Sequence, residues 1–254
     1  MPQSRKAAAR TVHSPHVHCA DCPIRSRAVC SYAGPDDLES LNSIKYYRTF
    51  EPGQEIVAAG EKTSSIGSVV EGVVSLSKTM SDGRRQMVGL MFPSDFLGRP
   101  NTPRAPYDAV AVTPVKLCLF QRPQFERLLR ETPVIEQRLL EITLDELDAA
   151  RDWMLLLGRK TAQEKIATFL TILARRSAAQ MEVEAEDGLQ FELPLTREAI
   201  ADYLGLTIET VSRQITALRK AGVIELVDSR QLRVPDFAAL LDAAGEDADG
   251  GLID

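Results

Sequence analysis

The chain has 254 residues, enough for one large domain or two smaller ones with a sizeable apolar core. Hydrophobic residues make up 44% of it, and no apolar run approaches the roughly 20 residues of a membrane-spanning helix, which argues against a membrane protein. The net charge of −6 argues against indiscriminate coating of nucleic acid but leaves room for a local basic face. The N-terminal residues lack the continuous apolar core of a secretory signal, so we expect a cytoplasmic protein.

Three of the four cysteines lie close together near the N-terminus, in the segment HVHCADCPIRSRAVCSY. Stable disulfides are rare in a reducing cytoplasm, where clustered thiols more often bind metals or take part in redox catalysis. Cys19 and Cys22 form a Cys-x-x-Cys pair, whereas seven residues separate Cys22 from Cys30. All three histidines of the chain precede the first cysteine: His13, His16 and His18. Spacing alone slightly favours zinc, held by four cysteines or by three cysteines and a histidine.

Between about residues 44 and 120 the sequence predicts many short antiparallel strands, hence a sandwich or a roll. Val and Ile are frequent, and Gly and Asp-Gly turns recur at intervals of roughly eight to twelve residues. The clearest hairpin has Ser81, Asp82 and Gly83 at its tip. Cys118 lies in the alternating segment VKLCLF, where a single cysteine is ordinarily a small buried hydrophobe.

From Pro123 to about Leu157 the pattern becomes helical. Apolar residues recur mostly at steps of three or four: Ile135, Leu139, Ile142, Leu147, Ala150, Met154 and Leu157. A helix of about six turns is roughly twice the average length, and its acidic middle is too charged for a monomer's core. We therefore expect it to pair with a second copy at a two-fold axis, where Asp148 and its neighbouring carboxylates would repel their counterparts. The alternative is a helix that lies across its own β domain.

A second helical unit follows, and the segment LTREAIADYLGLTIETVSRQITALRKAGVIEL has the layout of a helix-turn-helix. Thr196 can cap a first helix that ends at Gly205, and Thr207 can cap a second one. The next segment, GVIELVDSRQLRV, predicts two short strands with Asp228 and Ser229 at their turn, which makes the fold a winged variant.

The second helix of this motif presents a polar face that is typical of DNA reading. Glu209, Ser212 and Arg213 share one side of the helix because they are three and four residues apart. Arg213 can bond to guanine, Glu209 can accept from cytosine, and Ser212 can serve a base or a phosphate. Phosphate contacts are expected at Arg197 and, at the end of the second helix, from Arg219 and Lys220. Thr207, at the start of that helix, is also expected among the DNA-binding residues. The alternative is a pair of packed helices with a solvated charged face, but the glycine turn and the wing favour DNA binding.

Together these segments resemble the FNR branch of the CRP/FNR superfamily of dimeric bacterial transcription regulators, and most closely its FnrL type. The resemblance covers about residues 13 to 240 and rests on the E-x-x-S-R of the second helix, on the four cysteines and on LDELDAARDWMLLLGRK in the long helix. It implies an α+β chain in five parts: a cysteine-rich cluster-binding segment (1–38), a β-roll of the cyclic-nucleotide-binding, double-stranded β-helix type (39–130), a dimerisation helix (131–159), a winged helix-turn-helix domain (160–242) and a disordered acidic tail (243–254).

The same resemblance implies an oxygen-sensing regulator. In the absence of oxygen one [4Fe-4S] cluster per subunit would be held by four ligands: Cys19, Cys22, Cys30 and Cys118. The subunits would dimerise and bind a palindrome of the TTGAT-N4-ATCAA kind to activate or repress anaerobic genes, and oxygen would convert the cluster and abolish binding. RNA polymerase is the implied partner, with the hairpin tip and the turn near Thr113 as contacts by family position. The resemblance reverses the slight preference for zinc, and a transcription factor with a structural zinc site is the alternative.

Two other functions are not expected. No nucleophile, base and orienting group can be assembled from the sequence, so an enzyme is not predicted. Relatives that bind cAMP carry a Gly-Glu turn followed by an Arg-Ser pair. Here the corresponding region, SDFLGRPNTPRAPYDAVAV, keeps Asp95 and Arg99 but has no Arg-Ser pair, so no cyclic nucleotide is expected.

Overall fold

The computed structural model describes residues 17–228 and 230–245 of the chain. It divides into two compact units, with the boundary between Thr143 and Leu144, inside a long helix. The elements of the first unit are a 3-10 turn (Cys19–Asp21), α1 (Pro35–Ile44), β1 (Lys45–Phe50), β2 (Glu55–Val57), β3 (Ser65–Glu71), β4 (Val74–Thr79), β5 (Arg85–Met91), β6 (Phe96–Leu97), β7 (Asp108–Ala111), β8 (Val115–Gln121), α2 (Arg122–Glu131) and the beginning of α3 (Pro133–Arg159).

The strands form two antiparallel sheets of four, in the orders β1-β8-β3-β6 and β2-β7-β4-β5. Both sheets contribute to one apolar core, which contains Val69 of β3, Val74 of β4 and Leu117 of β8. The predicted hairpin joins β4 to β5, and Gly83 at its tip has a positive φ of 88°. The α+β prediction with an N-terminal β-roll is therefore confirmed.

The other face of the first sheet carries a second core. Because side chains alternate along a strand, Cys118 and Phe120 of β8 point away from Leu117 and into this second core. The core also contains Leu41 of α1, Phe125 of α2 and residues of the cysteine-rich segment. That segment is thus packed against the β-roll through apolar side chains.

Helix α1 was not predicted, and it corrects one expected boundary. It begins at Pro35, a residue suited to a first helical turn, and the Asp37 carboxylate accepts from the Gly34 N–H at 3.2 Å. Leu38 and Leu41 are buried in the second core. The predicted division between 38 and 39 therefore falls inside a helix that packs as one piece.

The second unit contains the rest of α3, then α4 (Ala162–Gln180), β9 (Gln190–Glu192), α5 (Arg197–Leu204), α6 (Ile208–Lys220), β10 (Glu225–Leu226), β11 (Gln231–Arg233) and α7 (Phe237–Ala244). The two predicted wing strands are β10 and β11, while β9, which pairs with β11, was not predicted. None of the helices in the described parts of the chain has the length and apolar character needed to cross a membrane.

The acidic tail was predicted to start at residue 243, and the structure corrects that boundary. Asp236 caps α7 by accepting from the Ala239 N–H at 3.0 Å, and Leu240 and Ala244 are buried. The Ala244 carbonyl also accepts from Lys160 Nζ at 2.9 Å. Residues 246–254 lie outside the described residues.

Aromatic rings join three helices of the second unit. Trp153 of α3 stacks on Tyr203 of α5, with ring centroids 4.1 Å apart and planes 22° apart. Phe169 of α4 meets the Tyr203 ring edge-on at 5.9 Å and 76°. Burial raises the pKa of Tyr203 well above its usual value. These contacts fix the C-terminal part of α3 against the first helix of the helix-turn-helix.

Candidate metal centre and nucleic-acid interface

All four cysteines line one cavity in the first unit, and each is a free thiol. Cys19 lies in the 3-10 turn, Cys22 directly follows that turn, Cys30 lies in the turns that come next, and Cys118 lies on β8. The structure therefore brings together the four residues that the resemblance proposed as ligands, although Cys118 is distant from the others in sequence.

The seven residues between Cys22 and Cys30 form a loop with an apolar inner side. Ile24, Ala28 and Val29 are buried and line the same cavity as the cysteines. The Arg25 side chain closes the loop by donating to the carbonyls of Ser31 at 2.6 Å and Ala33 at 2.8 Å. The loop is held in place by its own apolar and polar contacts.

The remaining cysteine is positioned by strand register. Cys118 pairs with Tyr47 of β1 on one side and with Ser68 of β3 on the other, and both of these side chains line the cavity. A Cβ at Gly67 would collide with the Cys118 carbonyl, so β3 approaches β8 this closely only because residue 67 is glycine. The Ser68 hydroxyl is buried without a hydrogen-bond partner in the described part of the chain, which leaves a polar group facing the thiols.

Burial controls the protonation of the thiols. It raises the pKa of Cys30 to about 11 and raises the pKa values of Cys118 and Cys19, and the neighbouring thiols act in the same direction. At Cys19 the Lys45 ammonium, whose Nζ lies 3.4 Å from the sulfur, opposes the effect of burial. A metal centre binds thiolates, so its assembly here has to release protons.

The donor set, four thiols on one cavity, suits either a [4Fe-4S] cluster or a tetrahedral zinc ion in number. Within the described ranges no three His, Cys, Asp or Glu side chains are placed to bind a single metal ion. A tetrahedral zinc with Zn–S bonds of about 2.3 Å needs sulfurs roughly 3.8 Å apart, whereas the cysteines of a [4Fe-4S] cluster bind different irons and stand farther apart. His18 is engaged elsewhere, since Nδ1 accepts from the Ala20 N–H at 3.2 Å and Nε2 lies 3.0 Å from Glu39. His13 and His16 lie outside the described residues.

Helix α3 has two apolar faces, and only one of them packs within the first unit. Leu139 and Ile142, predicted in the dimer interface, contact the core around the cysteines. On the other side, four exposed residues, which we call the apolar row, follow one another at helical spacing: Leu140, Leu144, Leu147 and Met154. Leu147 and Met154 are predicted from the sequence, whereas Leu140 and Leu144 are not.

The remaining residues of the predicted interface flank the apolar row. Ala150 is exposed and Leu157 is half-buried. Asp148 is exposed, and one of its oxygens lies 2.6 Å from Arg151, three residues further along α3. The carboxylate repulsion expected at a dimer axis is therefore partly neutralised within each chain.

The helix-turn-helix forms as its sequence predicts. Thr196 caps α5 by accepting from the Ala199 N–H, and Thr207 caps α6 by accepting from the Thr210 N–H, both at 3.2 Å. Gly205 ends α5 in the left-handed conformation, with φ 64° and ψ 40°. Three apolar residues anchor α6 in the core: Val211, Ile215 and Leu218.

The predicted reading face of α6 is open to solvent. Glu209, Ser212 and Arg213 are exposed, and so is Thr207. A hydrogen bond from its own N–H and one from Thr207 lower the pKa of Glu209 and fix its carboxylate as an acceptor. Arg197, a predicted phosphate contact, is half-buried, and one guanidinium nitrogen has no hydrogen-bond partner among the described residues. Burial lowers the pKa of Arg197.

Comparison with known proteins agrees with this geometry. The chain matches the models of the Crp-like helix-turn-helix domain over residues 164–243 and of the cyclic nucleotide-binding domain over residues 47–132. The transcriptional activator protein FnrL of Cereibacter sphaeroides is 56% identical, over 92% of this chain and 94% of its own length. The nitrogen fixation regulation protein FixK of Bradyrhizobium diazoefficiens is 41% identical, over 82% of this chain and 86% of its own length. The solved structure of FixK2 from Bradyrhizobium japonicum is 32% identical with a TM-score of 0.71, and the match covers 81% of this chain and 98% of that one.

Proposed function

The chain belongs to the CRP/FNR family of transcription regulators, and from that premise we propose that it is an oxygen-responsive regulator with one [4Fe-4S] cluster per subunit. It acts in the cytoplasm as a homodimer, binds a palindrome of the TTGAT-N4-ATCAA kind and activates or represses anaerobic genes together with RNA polymerase. It is a sensor and not an enzyme, and its effector is not a cyclic nucleotide. Oxygen converts the cluster and ends DNA binding.

The observation that carries this proposal is the convergence of four free thiols on one cavity, of which Cys19 and Cys118 are buried and Cys22 and Cys30 are half-buried. Cys118 sits on a strand hydrogen-bonded on both sides, whereas Cys19, Cys22 and Cys30 belong to a segment of turns. The cluster, when bound, supplies an oxygen-labile link between that segment and the sheet. The buried apolar residues around the cavity limit access of water to the link.

On the DNA side, the chain supplies one half-site reader per subunit. The exposed N-terminal turns of α6 present Glu209, Ser212 and Arg213 to base edges in the major groove. A two-fold dimer then matches a palindrome, because each subunit reads one half-site. The apolar row on α3 gives such a dimer a surface to bury.

Metal analysis of protein purified without oxygen tests the proposal. We expect a brown protein with about four iron and four sulfide ions per chain that bleaches in air. Changing any one of the four cysteines to alanine should abolish this content, whereas Ser26→Ala, an exposed position in the same loop, should leave it intact. A colourless protein that contains zinc and binds its palindrome equally well with and without air would refute the proposal.

A further inference from the structure

Arg138 of α3 contacts the cysteine-rich segment on both sides of Cys30. Arg138 Nη2 donates to the Arg27 carbonyl at 3.1 Å, and its guanidinium lies 5.5 Å from the centroid of the Tyr32 ring. Its Nη1 pairs with Glu141 at 3.1 Å. The Arg138 side chain is only 20% exposed, so these charge-assisted contacts are partly shielded from water.

A second contact closes the set. The Tyr32 hydroxyl hydrogen-bonds with Glu141, one turn further along α3, which raises the pKa of Tyr32 and lowers that of Glu141. Gln137 also donates to Glu141 at 3.1 Å and holds the carboxylate in place. Two residues of the cysteine-rich segment and two residues of α3 thus form a closed group, which we call the latch: Arg27, Tyr32, Arg138 and Glu141.

The latch brackets one of the cluster ligands. Arg27 lies between Cys22 and Cys30, and Tyr32 lies two residues after Cys30. Both residues that contact Arg138 from this segment therefore lie within three positions of Cys30. The latch residues on α3 alternate with Leu139 and Ile142, which pack on the core around the cysteines, and with Leu140 of the apolar row.

We infer that Arg138 is a positioning residue that transmits the state of the cluster to the dimerisation helix, an inference that rests on the proposed function. The cluster fixes the loop, the loop fixes Arg138 through the Arg27 carbonyl and the Tyr32 ring, and Arg138 fixes the helix that carries the apolar row. Arginine suits this role because its planar group stacks on a ring while its nitrogens bond in two directions. A lysine keeps the charge but makes neither the stacking contact nor the fork.

The quantity that isolates this role is the ratio of dimer dissociation constants without and with the cluster. A purely stabilising residue changes both constants alike and leaves their ratio unchanged. We would measure both by sedimentation velocity without oxygen, on loaded protein and after the cluster is removed with air and a chelator. Arg138→Leu should keep its iron and sulfide but lower the ratio by about three- to thirtyfold. Arg138→Lys should also lower it, and Arg130→Leu, at an exposed position on α2, should match the wild type.

A wild-type ratio in Arg138→Leu would overturn the inference. Should that variant fail to retain the cluster, Tyr32→Leu decides, because it removes the ring that faces Arg138 at a position that is 50% exposed. A wild-type ratio in Tyr32→Leu, or loss of the cluster from it too, would overturn the inference, the latter because the latch would then serve cluster retention. Wild-type protein without iron and sulfide would instead refute the proposed function, before any variant is compared.

Discussion

The exposure of the apolar row of α3 allows the contribution of one of its side chains to the stability of the proposed dimer to be estimated. Its members Leu140, Leu144, Leu147 and Met154 are 59%, 50%, 45% and 70% exposed. Complete burial of a leucine side chain contributes about 1.5–3 kcal/mol, so covering the exposed half of Leu144 contributes about 1 kcal/mol per chain. A two-fold dimer contains the position twice, which gives about 2 kcal/mol, or roughly a thirtyfold change in the dissociation constant.

Leu144→Ala should therefore weaken the cluster-loaded dimer by roughly thirtyfold in sedimentation velocity without oxygen. The matched control is Val88→Ala on β5, which truncates a side chain of similar exposure, 43%, outside α3. Iron content has to be equal in all three proteins, so that only association is compared. If Leu144→Ala weakens the dimer less than about threefold, or if Val88→Ala weakens it as much, the apolar row is not the dimer interface.

Three further predictions test the reading face, the acidic flank of the dimer helix and the half-buried thiol of Cys30. Arg213→Ala should weaken binding to the palindrome by about 1–3 kcal/mol of binding free energy and relax the preference at one base pair. Lys220→Ala should weaken binding to all DNA sequences alike, and competition gel shifts separate the two effects. Asp148→Ala should shift cluster-free protein toward the dimer, because repulsion is removed and the exposed pair with Arg151 stabilises little; unchanged sedimentation would contradict this. In cluster-free protein, Cys30 should be alkylated about tenfold more slowly at pH 8 in the folded state than in urea. A pKa of about 11 lowers the thiolate fraction of Cys30 about a hundredfold. A more basic thiolate is also a stronger nucleophile, which restores about tenfold of the rate. The rate should rise toward pH 11, and mass spectrometry showing equal rates in both states would refute the assigned burial.

The helix-turn-helix could be predicted almost residue by residue because its signals are local. Thr196 and Thr207 cap their helices through bonds to residues three positions away, and Gly205 needs only its own left-handed backbone. The amphipathic spacing of Val211 and Ile215 then fixes which face of α6 is left for DNA.

The dimer helix shows where periodicity is insufficient. Helix α3 carries apolar residues on two sides, and a step of three or four does not say which side meets the chain's own core. The predicted set therefore mixed Leu139 and Ile142, which pack beside the cysteines, with Leu147 and Met154, which are exposed. The two rows can be told apart only by which of them packs on the chain's own core, and for this reason Leu144 was not predicted in the interface.

The surroundings of the thiols depend on pairing across strands that are far apart in sequence. The four cysteines are visible in the sequence, but Tyr47 and Ser68 become neighbours of Cys118 only through the register of β1, β8 and β3. The short α1 escaped prediction because only two of its side chains, Leu38 and Leu41, are buried, too few for a periodic signal. The latch escaped it for the same physical reason as the strand neighbours, since Arg27 and Arg138 are 111 residues apart.

The ring stack between α3 and α5 has a spectroscopic consequence. Trp153 is the only tryptophan in the chain, so the indole emission of each subunit arises at its contact with Tyr203. The reading helix begins at Ile208, one short turn after the helix that carries Tyr203. Tryptophan fluorescence therefore reports on the contact between α3 and α5 in the second unit. Titration with DNA can follow that contact without an introduced dye.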